Sequence, residues 1–490
     1  MTFSSSARAT TTAVEPLFRN LKKGGAGFLP QRIAVIGQGA TASTYATTKK
    51  QVFSANEVGS TYGYGSPLHL AVRELLPANG DGVGDIPVTV YPLEDGGAAT
   101  VSAGDITPSI SSQTASTFRV RASGIYSLPF SVTATDTVAT IVTKMTTAIN
   151  GVPEMPIIAT DSTTTVDTAS KWKGVSANDI VLAVDGPTDT GVTWAFTQHV
   201  SGTANPVITG ALAQIGPVWE TLVVNCMEFD DTTTLDALQN ENIGRWDPQV
   251  WTPFVAFTGV PEATYATAVA ISDARPTDYT NSHISAQGSE SLPCAIAARG
   301  AMRIAKQANE NPAVGYNGKT LNTIYPGLDS QQWTYAQRDA GIKVGFSSST
   351  KEDGVVKLGD IVTFYAPTGD TDPSYRYVVT LIKLWNFVYR INTIFRGDPW
   401  RSAPLIPSDQ VSSNPLAKKP SDAIAEVAAV IDSAAKDAII SDPATAKKTI
   451  VAAINGSNPN RLDFSAQIQI SGNTRIKAFD LSWGFYFGGN

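Results

Sequence analysis

The sequence is poor in the residues that catalytic and metal chemistry most often uses. Two cysteines, Cys226 and Cys294, and three histidines, His69, His199 and His283, are all that 490 residues contain. The cysteines stand far apart in the chain inside apolar runs, which favours buried free thiols over a bridge and fits a reducing compartment at synthesis. The histidines share no ligand spacing, so no metal site is read. Neither H-E-x-x-H, G-x-S-x-G nor C-x-x-C occurs. The carboxylates fall at helix starts and turns, as Asp329 does three residues before Gln332 and Asp442 before Pro443, which are capping positions as readily as acid/base pairs. A basic excess is also missing. The formal net charge of -7 argues against a surface built to neutralise phosphates, and no direct nucleic-acid contact is expected. Thr2 to Asn20 lacks the apolar core of a secretory signal, so no export is expected. In the most apolar run, Tyr375 to Phe395, the charges Lys383 and Arg390 and the amides Asn386 and Asn392 make a buried core helix the reading, not a membrane span.

Two stretches have the form of nucleotide loops. Arg32 to Ile36 reads as a short strand, and Gly37-Gln38-Gly39-Ala40-Thr41-Ala42 fits G-x-G-x-x-A. That fingerprint requires a helix starting at the second glycine to hold a pyrophosphate, yet Thr41 to Lys50 has no helical apolar period. The capping pattern of Ser54 and Glu57 places the first helix start downstream. A nucleotide-dependent enzyme therefore stays as an alternative resting on Gly37 to Ala42, against a strand-exit turn. Asn317-Gly318-Lys319-Thr320 ends like a P-loop, but Ala313 stands where the first glycine should be and no strong strand precedes it, so it reads as a surface loop.

Along the chain, Ser66-Pro67 opens a helix with Leu68, Ala71, Val72, Leu75 and Leu76 on one face, and Ile86 to Leu93 is the next strand, an α/β beginning. From about Asp95 to Asn205 the composition turns to Thr, Ser, Ala and Gly. Strand-like pieces stand at Phe118 to Val120, Tyr126 to Val132, Ile180 to Val184 and Val192 to Val200, and one helix carries Val138, Ile141, Val142, Met145 and Ile149. This reads as a mostly-β domain inserted in a loop. The α/β pattern resumes with strands at Trp219 to Asn225 and Pro253 to Phe257, a short helix with Leu235 and Leu238, and helices at Ala263 to Ala274 and Leu292 to Ala308, the second with alanine over much of its surface. After the Tyr375 to Phe395 helix come a proline-studded loop from Pro404 to Pro420, an amphipathic helix with Ile424, Val427, Ala428, Ile431 and Ala435, and a second helix from Pro443 to Asn455.

The two ends stand apart. Phe464, Ala466, Ile468 and Ile470 alternate with polar residues, Ser471-Gly472-Asn473-Thr474 supplies turn chemistry, and Phe479, Leu481, Trp483, Phe485 and Phe487 alternate again, predicting one antiparallel hairpin. Two readings stay open. The hairpin closes its own domain's sheet, or it is a strand lent to a neighbouring subunit's sheet. Met1 to Pro30, rich in Ser, Thr and Ala, reads as an arm or a plain tail, and Gly24, Gly25 and Gly27 form its candidate joint.

Trp172-Lys173-Gly174-Val175-Ser176-Ala177-Asn178-Asp179-Ile180, Ala213-Gln214-Ile215-Gly216, Ala336-Gln337-Arg338-Asp339, Asp353-Gly354-Val355-Val356, Val362-Thr363-Phe364-Tyr365, Ala403-Pro404-Leu405-Ile406-Pro407 and Ile440-Ser441-Asp442-Pro443, with Ser471-Gly472-Asn473-Thr474 and Phe485-Tyr486-Phe487, resemble the contractile tail sheath proteins of Mu-like bacteriophages. The resemblance covers nearly the whole chain and is weakest in Met1 to Asn20 and Thr100 to Asp167. It implies a mixed α/β (α+β) sheath core assembled from both parts of the chain, with an inserted mostly-β domain and terminal β-arms. The expected division is an N-terminal arm at 1–30, core at 31–97, an outward-facing insert at 98–206, an α/β domain at 207–370, a helical core part at 371–463 and an arm at 464–490. It further implies a virion structural subunit, assembled in the host cytoplasm, that stacks as six-membered rings around a tail tube and contracts. Its partners would be further copies of itself, the tail tube protein, and baseplate and terminator proteins, with no cofactor, no catalytic residue and no membrane insertion. The intersubunit arm would use Phe479, Leu481, Trp483, Phe485 and Phe487, with Ile468 and Ile470. A non-contractile virion protein is the other alternative.

Overall fold

The computed structural model describes residues 27–369, 374–481 and 483. The chain forms two compact units, one spanning Pro30–Ile382 and one joining Met1–Leu29 to Lys383–Asn490.

The first unit is organised around a six-stranded sheet in the order Asn281–Ser285, Val255–Val260, Leu222–Asn225, Ile33–Gln38, Val88–Leu93, Lys50–Val52, parallel throughout except for the short last strand. Every residue of Ile33–Gln38, Val88–Leu93, Leu222–Asn225 and Val255–Val260 is buried, as a parallel sheet covered on both faces requires. Asn281–Ser285 is equally buried although polar. Two of its side chains find carbonyl partners close by, Asn281 donating to that of Leu235 at 3.0 Å and Ser282 to that of Val362 at 2.7 Å. Without those partners such a strand would carry a desolvation cost, and its polarity hid it from a hydrophobic pattern.

The helices start where their caps stand. Ser54 accepts from the Glu57 amide before Ala55–Tyr62, and Ser66 accepts from the His69 amide before Pro67–Leu75. Helix Pro293–Glu310 buries Ala295, Ala297, Ala298, Ala301, Ala305 and Ala308. Its alanine face is a contact face, because small side chains let a helix approach a sheet closely. At Gly300 an added Cβ would lie 2.8 Å from Ile284.

Residues 101–200 form two antiparallel sheets of their own. One runs Val192–Val200, Val101–Ile110, Val166–Lys173, Ile157–Asp161; the other joins Leu182–Asp185, Ser116–Ala122 and Ile125–Tyr126, with Phe130–Val132 also on Ser116–Ala122. Thr137 caps helix Val138–Asn150 between them. Among the described residues none of these strands pairs with the six-stranded sheet. The chain enters and leaves side by side, Thr100 bonding Thr203 as an antiparallel bridge.

The second unit contains most of helix Val378–Phe395, within which the division falls, helices Pro420–Lys436 and Pro443–Lys448, and two small sheets that pair Val451–Ile454 with Leu462–Ser465 and Ile440–Ser441 with Gln469–Ile470. Among the described residues, the large sheet takes no strand from the C-terminal part. Gly27–Leu29 group with the C-terminal part in this second unit instead. Two expectations change here. The helix expected to reach Asn455 ends at Lys448, because Val451–Ile454 turns into a strand against Leu462–Ser465 across a loop rich in Asn, Gly and Pro. Among the described residues, the expected hairpin from Phe464 to Phe487 does not pair its two halves. Its first half is split between two upstream partners, and residues 471–481 carry no strand. Phe485 and Phe487 lie outside the described residues, as do Gly24 and Gly25. No described helix is long and apolar enough to cross a membrane.

Candidate assembly site

The strand order reverses between Ile33–Gln38 and Leu222–Asn225, the place where open parallel sheets usually bind ligands. Here that mouth is filled by protein. The amides that would cradle a phosphate are spent internally: Gly39 donates to the Tyr45 hydroxyl at 3.0 Å, Ala40 to the Tyr62 carbonyl at 2.7 Å and Thr41 to the Lys171 carbonyl at 2.8 Å. The Asp95 carboxylate accepts from the Gln38 amide at 2.7 Å and the Thr41 hydroxyl at 2.6 Å, placing negative charge where an anion would sit. Gly39 is glycine because a Cβ there would lie 2.4 Å from the Tyr45 ring. At the second loop, Gly318 donates to the Leu358 carbonyl and Lys319 to that of Tyr316, and no helix follows. Neither glycine stretch is shaped for a nucleotide.

The remaining candidate chemistry is structural. Burial pulls His69 and His199 down to about 4, with Arg73 and Lys171 adding at His69, and pulls His283 down to about 3. Such rings stay neutral at neutral pH; His69 accepts from the Gly65 amide and His199 meets Thr168. Cys226 and Cys294 are free and buried, and although distant in sequence they are neighbours in space, the Cys226 thiol being raised by burial and then by Cys294. Asp329 and Asp442 stand at helix starts, Asp442 accepting from the Thr445 amide.

Beside the same sheet mouth, Asp179 is pushed up to about 7 by burial, with Glu228 and Asp230 adding. Glu228 is likewise pushed up to about 7 by burial, although it accepts from Asn205. Both carboxyls hold protons more tightly in the folded chain than in the unfolded one. Their contribution to stability is thus complete below about pH 4 and is lost as pH rises through about 7. Thermal melts should fall by a few degrees between pH 5.5 and 8, on the order of 2–6 °C. The double change Asp179→Asn with Glu228→Gln should flatten that difference, and an unchanged slope would remove these two groups as its cause.

The second unit presents a different kind of site. Ser471 is fixed where the chain turns outward, its amide donating to the Ile439 carbonyl at 3.0 Å. Beyond it, Ile476, Phe479, Leu481 and Trp483 are 83%, 84%, 64% and 81% exposed. Residues 479, 481 and 483 share one face of an extended chain. Full burial of each such side chain contributes about 1.5–3 kcal/mol, so the segment carries a large unsatisfied tendency to be covered. Ile468 and Ile470 are half-buried, Ile470 in the short strand against Ile440–Ser441. Gly27 is exposed, and an added Cβ would meet nothing within 4 Å.

Over 361 residues, 72% of this chain and 72% of the relative, the sequence is 23% identical to the Mu-like prophage FluMu tail sheath protein of Haemophilus influenzae. The chain is similar to a Mu-like tail sheath protein. No family model matches it. Among solved structures, it aligns with a sheath tail protein from Listeria innocua at TM-score 0.48 and 10% identity, covering 92% of this chain and 94% of that one. A sheath tail protein from Desulfitobacterium hafniense aligns at TM-score 0.46 and 11% identity, covering 91% and 98%. The contracted helical sheath of the anti-feeding prophage aligns at TM-score 0.45 and 10% identity, covering 99% and 100%.

Beside the tail-sheath resemblance, the residues that sequence reading missed are Lys383, Asn386 and Arg390. They are buried in helix Val378–Phe395, and they contact Phe28, Leu29 and the turn at Ser471 to Asn473, the described residues of both terminal segments that meet this helix. Their signal was legible as polar residues three and four apart in an apolar run, but it was read only as an obstacle to membrane insertion.

Proposed function

We propose that this chain is a structural subunit of a contractile phage tail sheath. It polymerises as stacked six-membered rings around a tail tube and contracts to drive that tube through a host envelope. The observation that carries this reading is the 361-residue similarity to a Mu-like tail sheath protein. The structure adds support of a physical kind: an exposed run with alternating Phe479, Leu481 and Trp483 that has no strand partner among the described residues, in a unit that also holds two small two-stranded sheets. A two-stranded sheet gains from a further strand, and an extended segment gains backbone hydrogen bonds and side-chain pockets by adding to one. In this proposal Phe479, Leu481, Trp483, Phe485 and Phe487, with Ile468 and Ile470, serve another copy of the chain, and Gly24, Gly25 and Gly27 form the joint of the other arm. The 98–206 insert faces outward, and the tube, baseplate and terminator proteins are the further partners in the virion. No step needs a catalytic residue or cofactor, because contraction draws on the difference between two packings of one chain.

The test is sedimentation with electron microscopy of the purified chain. Striated hollow tubes or contracted cylinders, formed without nucleotide, are expected. A small oligomer that melts higher with added nucleotide would favour the enzyme reading, and closed shells would favour a non-contractile virion protein.

A further inference from the structure

Helix Val378–Phe395 is apolar except for a buried stripe. Lys383 and Asn386 are 0% exposed and Arg390 is 1% exposed; their spacing of three and four places them on one face. The Lys383 ammonium donates to the Ser471 carbonyl at 2.7 Å, to the Asn473 side-chain oxygen at 2.8 Å and to the Ser471 hydroxyl at 3.2 Å. The Asn386 side-chain oxygen accepts from the Leu29 amide at 2.7 Å. The Arg390 guanidinium lies over the Phe28 ring, 5.4 Å from its centroid, while donating to Asp437 at 2.7 Å and Ser433 at 3.1 Å.

A buried ammonium held by neutral oxygens is a poor way to stabilise a fold. Burial alone pulls Lys383 down to about 8, and an apolar side chain of similar size would fill the space without the desolvation cost. What the stripe supplies is position. Along a helix that rises about 1.5 Å per residue, Lys383 and Arg390 are separated by roughly 10 Å. The last residues of the N-terminal segment and the turn at Ser471 to Asn473 are therefore held by neighbouring turns of one rigid element.

We infer that Lys383, Asn386 and Arg390 form a single anchor that fixes Phe28, Leu29 and the turn at Ser471 to Asn473 to one helix, so that the roots of both terminal segments move together. That these segments act as intersubunit arms rests on the sheath reading; the anchor itself does not. In a lattice of such subunits, a rotation of the helix would displace both connections to neighbours at once, and neither arm could slacken separately.

The test is hydrogen exchange by mass spectrometry on the full-length chain before assembly. Lys383→Met should speed exchange of the amides of residues 471–474 at least tenfold, with strand Ile33–Gln38 and helix Pro420–Lys436 unchanged. Asn386→Leu should speed exchange at Leu29 by a similar factor and leave residues 471–474 alone. Asn473→Ala, which changes no helix residue, should speed exchange of 471–474 at least twofold, and it decides the matter where Lys383→Met fails to fold. Unchanged exchange at 471–474 in both the Lys383 and Asn473 variants, or equal acceleration throughout helix Pro420–Lys436, would overturn the anchor. A wild-type chain that protects Leu29 and Ser471 yet never forms tubes would leave the anchor standing and remove the sheath reading.

Discussion

A chain ending at Phe479 is expected to keep both compact units and to form no tubes. Among the described residues it removes, Leu481 and Trp483 are 64% and 81% exposed, so these two side chains add almost no buried apolar area to the isolated subunit. Its far-UV circular dichroism and melting temperature should match those of the full chain. Between subunits the same side chains are worth about 1.5–3 kcal/mol each when covered, and every 1.4 kcal/mol lost weakens an association about tenfold. Pelletable polymer should therefore fall well over tenfold at a concentration where the full chain assembles. Normal-length tubes from the truncated chain would show that the aromatic run is not an intersubunit strand. Loss of the folded signal would instead return it to the subunit's own sheet.

The contrast between the two halves of the predicted terminal hairpin shows what a period of two conveys. It assigns side chains to faces of a strand, and it says nothing about which sheet that strand joins. Leu462–Ser465 folds back on Val451–Ile454 because a short loop brings them together. Of the aromatic half, the described residues 479–481 carry no strand. The inserted strands at Ser116–Ala122, Phe130–Val132, Leu182–Asp185 and Val192–Val200 stand where strands are expected, whereas two others are illegible for another reason. Val101–Ile110 contains Gly104 and Pro108, and Val166–Lys173 is rich in Thr, Ser and Lys, so neither offers the apolar, β-branched run by which strands are recognised. By contrast, helix Val138–Asn150 is legible almost to the residue, because Ile141, Val142, Met145 and Ile149 face one core.

The anchor stripe lay between these cases. Polar interruptions at Lys383, Asn386 and Arg390 are visible in any reading of the run, but their meaning lies in partners remote along the chain. Lys383 reaches 88 residues ahead to Ser471, and Asn386 reaches 357 residues back to Leu29. A buried charge in sequence says only that a partner must exist. The glycine loop illustrates the converse. Gly37 and Gly39 match a nucleotide pattern, yet close approach to Cys226 and Tyr45 accounts for both.

Replacing Ala98 to Pro206 by a short Gly/Ser linker is expected to leave the six-stranded sheet folded but markedly less stable. Closure should be easy, since Thr100 donates its amide to the Thr203 carbonyl at 3.3 Å and the two ends of the insert are adjacent. The ladder of the large sheet loses no described strand. The insert, however, is tied to the rest of its unit by more than its two connections. Arg121 donates to both Glu290 oxygens, at 2.6 and 3.1 Å, and lies 4.4 Å from the Tyr325 ring centroid. The Lys173 carbonyl accepts from the Gln38 side-chain amide at 2.7 Å, and the Lys171 ammonium donates to the Tyr64 carbonyl at 3.2 Å. On deletion these groups become hydrated instead of orphaned, so the loss is of net hydrogen bonds at about 0.5–1.5 kcal/mol each, with the covered apolar area in addition. A fall in melting temperature on the order of 5–15 °C follows. Under the sheath reading, tubes should still form below that temperature and should be thinner at their outer edge in electron micrographs. Loss of exchange protection in Ile33–Gln38 and Leu222–Asn225 would show instead that the insert is required for the sheet to fold. Stable, folded chains that fail to assemble would place the insert between subunits, not on the outside.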